Sequence, residues 1–499
     1  MPTRNIMDGP IQREVGYQNS IPVEKKWISS KGNEISIIIP PTVYPPREDT
    51  NLIDKCISLI GDGKGKKLLE IGCGTGVVSI SAAFNGWDVV ACDINPLAVA
   101  STIGNAIENN VEIKVYEEGV GDHNKSNKQL ENIFNSEAPF DLIIWNLPYL
   151  EPINENEIRL GPLEDAGLLD NDGEKGWGEL LISLLEEKPR MLKNSGAVYL
   201  IHTNNIRGNM LQSNWRLAGW ATRTIEEYEL GDGERITCFS AWRPFQGTHI
   251  EWHDEIESTN RFLLDKERKI GQCIIARKQT SGRGQRDREW ITNKGDFAGS
   301  WNLDPNIVSG NQGNFQLSAA LSVVDSICAL TKTPLASSHW TNCKQIKELG
   351  INLQWPNDVW NRDGKIAGCL IEGRQFGGKQ KIVLGIGVNI TSQQINKLPI
   401  ASINDVITNK ELNLEEYAKI LNCSISSLYE NHELVPNIND YTNSIWNLMS
   451  NHLSPGKFAI SDSGMKLNVC GLSSQGELIC HDGKFIEIIT DSYTRKWSD

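Results

Sequence analysis

The chain has 499 residues, 39% of them hydrophobic, with a net charge of −14 and a mean hydropathy of −0.35. That length exceeds one ordinary core and implies about three domains. No apolar run approaches the ~18 residues of a membrane span, and the acidic balance argues against non-specific binding to DNA or to a membrane surface.

Met1–Glu24 has neither the apolar core nor the cleavage pattern of a signal peptide, so residues 1–25 are expected to form a mobile arm. Eleven cysteines are scattered without CxxC spacing. They predict reduced thiols in a cytoplasmic protein, not a disulfide framework or a zinc site.

Lys26 to Ile39 alternates around Lys31-Gly32-Asn33 and predicts a hairpin. Val43-Tyr44-Pro45-Pro46-Arg47-Glu48-Asp49-Thr50 then caps a helix starting near Asn51. Lys67 to Ile71 is a short apolar strand, followed by Gly72-Cys73-Gly74-Thr75-Gly76 and an apolar helix, Val77 to Phe84. Strand, glycine turn and helix make a Rossmann-like ligand turn, where backbone approaches a ligand closely and a helix N-terminus favours negative charge. The next strand, Asp88 to Asp93, ends in an acid about 20 residues on, placed to grip ribose hydroxyls or to cap the helix starting near Pro96. Asp141 to Tyr149 is a buried strand ending in Asn146-Leu147-Pro148-Tyr149 at the carboxyl edge of the sheet.

Together, Val43-Tyr44 through Thr50, Glu70 to Gly76, Asp93 and Asn146 to Tyr149 resemble the HemK-like protein-glutamine methyltransferases, over about Lys26 to Pro244. The closest branch modifies a class-1 peptide release factor. The resemblance implies that S-adenosylmethionine is held by Glu70, Gly72, Gly74, Gly76 and Asp93. It also places Asn146, Pro148 and Tyr149 at the reaction. The chemistry explains these residue types. A planar amide nitrogen must be oriented, so the Asn146 side chain and the Leu147 carbonyl would accept its two N–H bonds while Tyr149 packs on its face. Leu147 stands where the family usually has a first proline, and Val115 to Pro139 is long and polar, which leaves open which acid, Asp122 among them, meets the adenine. Alternative readings of this half are a non-catalytic binding module and a methyltransferase acting on nucleic-acid adenine.

The pattern restarts near Arg243-Pro244-Phe245-Gln246-Gly247-Thr248. His249 to Ile256 predicts an edge strand; His249 and His253 lack a third ligand, and no metal site is expected. Glu257-Ser258-Thr259-Asn260 caps a helix. The strand Cys273 to Arg277 delivers Gln279-Thr280-Ser281-Gly282-Arg283-Gly284, a loop whose glycines and guanidinium suit phosphate or carboxylate, with Trp290 offering a flat face. Gln354-Trp355-Pro356-Asn357-Asp358 ends a strand in a polar turn. Lys365-Ile366-Ala367-Gly368 re-enters the core and sets a lysine where an anionic partner is expected.

These motifs, with Gly385-Ile386-Gly387-Val388-Asn389, resemble the biotin–protein ligases from His249 to the C-terminus. The resemblance implies biotin, ATP and Mg2+ as reactants and a biotin carboxyl carrier protein as acceptor. It places Ser258, Thr259 and Gln279 near the biotin rings. Gly282, Arg283 and Gly284 close over the acyl-phosphate, Lys365 acts at the reacting centre, and Trp290, Asn357, Asp358 and Asn389 serve the nucleotide. Gln285 and Gln354 depart from a commoner arginine and lysine. A repressor-type winged helix is not in evidence, and specific DNA binding is not expected. Gly456 to Trp497 looks like the small SH3-like barrel of this family.

The expected architecture is therefore an α/β Rossmann-like methyltransferase domain (26–245), an α+β biotin-ligase catalytic domain (246–453) and an SH3-like β-barrel (454–499). The two reactions share neither substrate nor cofactor, so separable activities are expected.

Overall fold

The computed structural model describes residues 21–121, 129–149, 169–170, 173, 175–284, 289–308, 312–333, 344–376, 378–391, 399–407, 412–437, 441–453, 458–460, 464–490 and 496–497. Asp122 and Gln285 lie outside them. Two compact units result. One comprises Met1–Leu211, Thr224–Trp242 and His432–Pro436; the other comprises Gln212–Arg223, Arg243–Asn431 and Asn437–Asp499.

In the first unit, β1 (Val23–Ile28) and β2 (Glu34–Ile39) form the hairpin expected around Gly32. A seven-stranded sheet follows, built from β3 (Lys67–Ile71), β4 (Asp88–Asp93), β5 (Lys114–Glu117), β6 (Phe140–Asn146), β7 (Leu192–Thr203), β8 (Ala221–Gly231) and β9 (Glu234–Trp242). Its order is β5-β4-β3-β6-β7-β9-β8, with β3 to β7 mutually parallel and β9 antiparallel to β7. The chain reverses direction across the sheet between β3 and β6. This switch point opens a crevice at the carboxyl ends of both strands. The register Ile71↔Trp145 sets the glycine turn after β3 beside Asn146. Strands β3 and β6 are buried nearly throughout, as parallel strands covered on both faces must be.

The helix after the proline-stiffened segment runs over Glu48–Ile60, three residues earlier than expected. Glu48 and Asp49 thus occupy its first turn, where the helix dipole favours negative charge.

The second unit holds another seven-stranded sheet: β10 (Ile250–His253), β11 (Cys273–Ala276), β12 (Phe297–Leu303), β13 (Asn352–Gln354), β14 (Asp358–Trp360), β15 (Lys365–Phe376) and β16 (Lys379–Val388). The order is β10-β11-β12-β16-β15-β14-β13, antiparallel except for the β10–β11 pair, so β10 is indeed an edge strand. Helices Gln312–Thr331 and Leu414–Tyr429 carry much of the core, with Leu321, Val324, Ile327, Leu421 and Ile425 fully buried.

The C-terminal strands β17 (Phe458–Ile460), β18 (Lys466–Leu472), β19 (Leu478–His481), β20 (Ile486–Ile489) and β21 (Lys496–Trp497) form an antiparallel sheet in the order β20-β19-β18-β17-β21. Here the expectation of a barrel needs correction. Among the described residues the end strands β20 and β21 do not pair, and no closed barrel forms. No described helix is long and apolar enough to cross a membrane.

Gln212–Arg223 precedes the expected boundary at 245, yet it belongs to the second unit. Arg216 is fully buried there, pairing with the equally buried Asp325 and donating to Ser424 Oγ at 2.9 Å and Thr222 Oγ1 at 2.9 Å. Arg223 donates to the carbonyls of Ser427 at 2.9 Å and Glu430 at 3.1 Å. A guanidinium stripped of water needs every one of these acceptors. Asp325→Ala leaves Arg216 charged and buried, and is expected to destabilise the second unit by roughly 3–5 kcal/mol. Urea denaturation followed by the fluorescence of the intact chain checks this; a loss below ~1 kcal/mol contradicts it.

Candidate active sites

At the end of β3 the chain turns through Gly72, Gly74 and Gly76, all with positive φ. Gly76, at the N-cap of helix Val77–Phe84, has φ +75°, and a Cβ there would lie 2.6 Å from the Thr102 side chain. Only glycine fits both constraints. Asp93 closes the turn: its Oδ2 accepts from Gly74 N at 2.9 Å and its Oδ1 from Asn95 N at 2.8 Å. The helix cap is Asn95, whose Oδ1 accepts from Leu97 N, so of the two roles open to Asp93 the capping one falls to its neighbour. Glu70 is buried on β3 and accepts from the Ser79 hydroxyl. Burial pushes its carboxyl up to about 8, Ser79 pulls it partly back, and the charges of Asp93 and Asp54 add to the rise.

Across the crevice, Asn146 ends β6. Its Nδ2 donates to Asp49 Oδ2 at 3.0 Å, which fixes the amide orientation. Its Oδ1 is buried with no hydrogen-bond partner among the described residues. The same Asp49 Oδ2 accepts from Tyr44 and Tyr149, each at 3.2 Å, while Oδ1 accepts from Thr50 N at 2.7 Å. Burial and the Asp49 charge push both phenols up, so both remain protonated donors. The turn is tied down again by Asn205, whose Nδ2 donates to the Tyr149 carbonyl at 2.9 Å. An orphaned buried acceptor costs free energy unless something fills it. This arrangement therefore presents one oriented acceptor to a donor arriving from the crevice.

Asp49 entered the sequence reading as part of a helix cap and of the motif from Val43 to Thr50, with no role of its own. It lies 97 residues from Asn146, and no local spacing links them. Beside the turn a pocket is lined by Leu147, Pro148, Tyr149, Trp177, His202 and Leu211, among others. His202 is held neutral, because burial pushes its ring down to about 4.

In the second unit, Lys365 Nζ pairs with Asp358 Oδ1 at 2.8 Å and lies 5.5 Å from the Trp290 ring centre. The indole rests on a floor of glycine: a Cβ on Gly387 would sit 2.1 Å from Trp290 Cε2, and one on Gly368 would meet both Lys365 Nζ and Trp290. Side chains at these two strand positions would displace the ring. Asn357 Nδ2 donates to the Cys369 carbonyl at 2.6 Å, and Asn389 Nδ2 donates to the Lys365 carbonyl at 2.9 Å. Both amides thus hold the backbone that carries the lysine. Trp355, buried in the turn before Asp358, donates its Nε1 to the Gly476 carbonyl at 2.9 Å. Gln354 Oε1 is buried without a hydrogen-bond partner among the described residues.

Gln279 Oε1 accepts from Thr259 N at 2.9 Å and from Thr259 Oγ1 at 3.1 Å. Ser258 is the helix N-cap by position, but its side chain makes no cap bond, and Gln279 takes one of the free N–H groups instead. Gly282 O accepts from Trp290 N at 2.9 Å, and Arg283 bridges to Glu289, which pins both ends of the loop. Glu372, not singled out in the sequence, pairs with Arg283 at 3.3 Å.

Residues 252–389 match the biotin/lipoate A/B protein ligase family, and residues 52–153 match the ribosomal protein L11 methyltransferase (PrmA) family. A putative protein N5-glutamine methyltransferase of Methanocaldococcus jannaschii is 37% identical over 171 residues, covering 34% of this chain and 77% of that protein. A biotin–[acetyl-CoA-carboxylase] ligase of Paracoccus denitrificans is 39% identical over 118 residues, covering 23% of this chain. The chain spans only 43% of that ligase. Among solved structures, a biotin protein ligase from Aquifex aeolicus in complex with biotin and ATP aligns with a TM-score of 0.40 at 22% identity, over 50% of this chain and 98% of its own.

Glu70 gives the first unit a measurable pH dependence. Its carboxyl titrates at 4.5 when unfolded and at about 8 when folded, so between those values the native state binds the extra proton and stability falls as pH rises. His202 works the other way from about 4 to 6.5, where the unfolded state binds the extra proton. From pH 6.5 to 8 only the Glu70 contribution of the two remains. Glu70→Gln is expected to flatten the fall over that window, as read from denaturation midpoints. An unchanged slope contradicts the assignment.

Proposed function

We infer the function from the premise that the chain belongs to two families, the protein N5-glutamine methyltransferases in its first half and the biotin/lipoate A/B protein ligases in its second. It is a bifunctional enzyme. One site, within residues 26–245, methylates the amide nitrogen of a protein glutamine. The other, within 246–453, joins biotin to a lysine of a biotin carboxyl carrier protein by way of biotinoyl-5′-AMP.

For the first site the carrying observation is the bare, oriented Oδ1 of Asn146. An amide –NH2 has two N–H bonds to place and a lone pair delocalised into its carbonyl. Asn146 Oδ1 takes one N–H and the Leu147 carbonyl takes the other, which fixes the nitrogen for in-line attack. S-adenosylmethionine supplies the sulfonium methyl when bound, and Glu70, Gly72, Gly74, Gly76 and Asp93 are the residues that would hold it. The glycine turn suits a ligand pressed against backbone, since each of its glycines has positive φ. Asp49 keeps the Asn146 amide from flipping, and Tyr149 closes the face of the acceptor. The protein acceptor is read as a class-1 peptide release factor in the cytoplasm. A ribosomal protein is the second reading, drawn from the PrmA match over residues 52–153.

For the second site the carrying observation is Lys365, aimed by Asp358 over Trp290. Lys365 neutralises the biotin carboxylate as it approaches the α-phosphate of ATP, and offsets the negative charge that builds during attack. Asp358 holds the ammonium in place, so little reorganisation is needed at that moment. Ser258, Thr259 and Gln279 face the biotin rings, and Arg283 covers the acyl-phosphate between Gly282 and Gly284. Asn357 and Asn389 support the nucleotide side. Mg2+ enters with the phosphates of ATP, as is usual for that ion. Pyrophosphate leaves, and the carrier lysine then takes the acyl group and releases AMP.

Asn146→Ala removes the amide acceptor and is expected to lower methyl transfer by at least about 100-fold, with Asp49→Asn falling between it and wild type. Mass spectrometry of candidate release-factor and ribosomal acceptors reads the gain of one methyl group; transfer that survives Asn146→Ala contradicts the site. Lys365→Ala is expected to lower biotin-dependent ATP–pyrophosphate exchange by about 100- to 1,000-fold. Exchange at the wild-type rate would refute the role of Lys365.

A further inference from the structure

Two side chains from separate motifs of the second unit end on a single carboxylate. Asn260 is 4% exposed at the start of helix Thr259–Leu264, and its Nδ2 donates to Glu372 Oε2 at 2.7 Å. Arg283, half exposed in the glycine–arginine loop, donates Nη1 to Glu372 Oε1 at 3.3 Å. Behind Asn260, its Oδ1 accepts from the fully buried Ser300 at 2.6 Å, and Ser300 Oγ lies 2.7 Å from Thr259 Oγ1. Thr259 in turn donates to Gln279. A line of polar contacts therefore runs unbroken from Gln279 to Arg283, with Glu372 as its last fixed member.

An acid here needs a reason. A carboxylate near a forming acyl-phosphate repels it, and an apolar residue would avoid that penalty. An exposed ion pair contributes little by itself, because a long side chain must be ordered to make it. Glu372 differs from such pairs in that Asn260, buried and held by Ser300, clamps one of its two oxygens. The other oxygen therefore has a defined position, and so does the guanidinium on it. Arg283 has five N–H donors and spends one on Glu372 in the contact seen, which leaves the others to face an anion.

Resting on the ligase reading above, we propose that Glu372 is a positioning residue for adenylate formation: it aims Arg283 at the acyl-phosphate and ties that aim to the ring-binding side of the site through Asn260. The residue acts through Arg283 and touches no substrate itself.

The substitution Glu372→Gln separates the two contacts. Its amide oxygen still accepts from Asn260, while the charge that holds Arg283 is gone. In the full-length protein, the kcat of biotin-dependent ATP–pyrophosphate exchange is expected to fall about tenfold, with the KM for biotin within about twofold of wild type. Because Glu372 acts through Arg283, the double variant Glu372→Gln/Arg283→Ala is expected to lose no more activity than Arg283→Ala alone. An unchanged kcat for Glu372→Gln overturns the proposal, as do losses that multiply in the double variant. A wild-type protein with no biotin-dependent exchange overturns the ligase reading itself, a result distinct from either.

Discussion

Asp49 is a carboxylate almost entirely removed from water, and a charge in that position must be satisfied from the protein. Two phenols, one side-chain amide and one backbone N–H supply the bonds. The demand runs in both directions. Because Asp49 requires the Asn146 Nδ2, the other end of that amide has a fixed direction, and its oxygen has no hydrogen-bond partner among the described residues. Asn146 Oδ1 is thus where the hydrogen-bond balance of this cluster stays open.

The second unit applies the same constraint with the opposite sign. Lys365 is a partly buried cation that requires an anion, and Asp358 provides it from the neighbouring strand. What makes the pair useful is the floor beneath it. Gly368 and Gly387 are paired residues on β15 and β16, and their lack of side chains lets Trp290 lie against the sheet within reach of the ammonium. The asparagines nearby, Asn357 and Asn389, each donate an N–H to the backbone of β15. Their contribution is rigidity at the lysine, and it is also where a loss of either would be felt.

Chain order and compactness do not coincide. Gln212–Arg223 lies in sequence between two stretches of the first unit, Met1–Leu211 and Thr224–Trp242, but belongs to the second, where Arg216 and Arg223 meet buried acceptors; His432–Pro436 makes the reverse exchange. The second unit's longest segment begins at Arg243, but the two units are interleaved in sequence, with 212–223 and 432–436 each on the far side of that point. Periodicity cannot reveal this, because Arg216 sits on a helix whose pattern reads as an ordinary surface helix with a basic last turn.

Local chemistry is what the sequence determined by itself. Strands β3, β4 and β6 and the helices Val77–Phe84 and Pro96–Glu108 start and stop where apolar runs, glycines and a proline say they must. The motifs at both candidate sites could be read for the same reason, since turns and strand ends are set by residues a few positions apart. Tertiary structure alone decided the partners. It gave Asp49 its partner across 97 residues and brought Glu372 to Arg283 across 89. Among the described residues it also closes no barrel at the C-terminus, where one was expected. A buried polar group takes whichever partner the packed chain brings within reach, and sequence spacing carries no record of that distance.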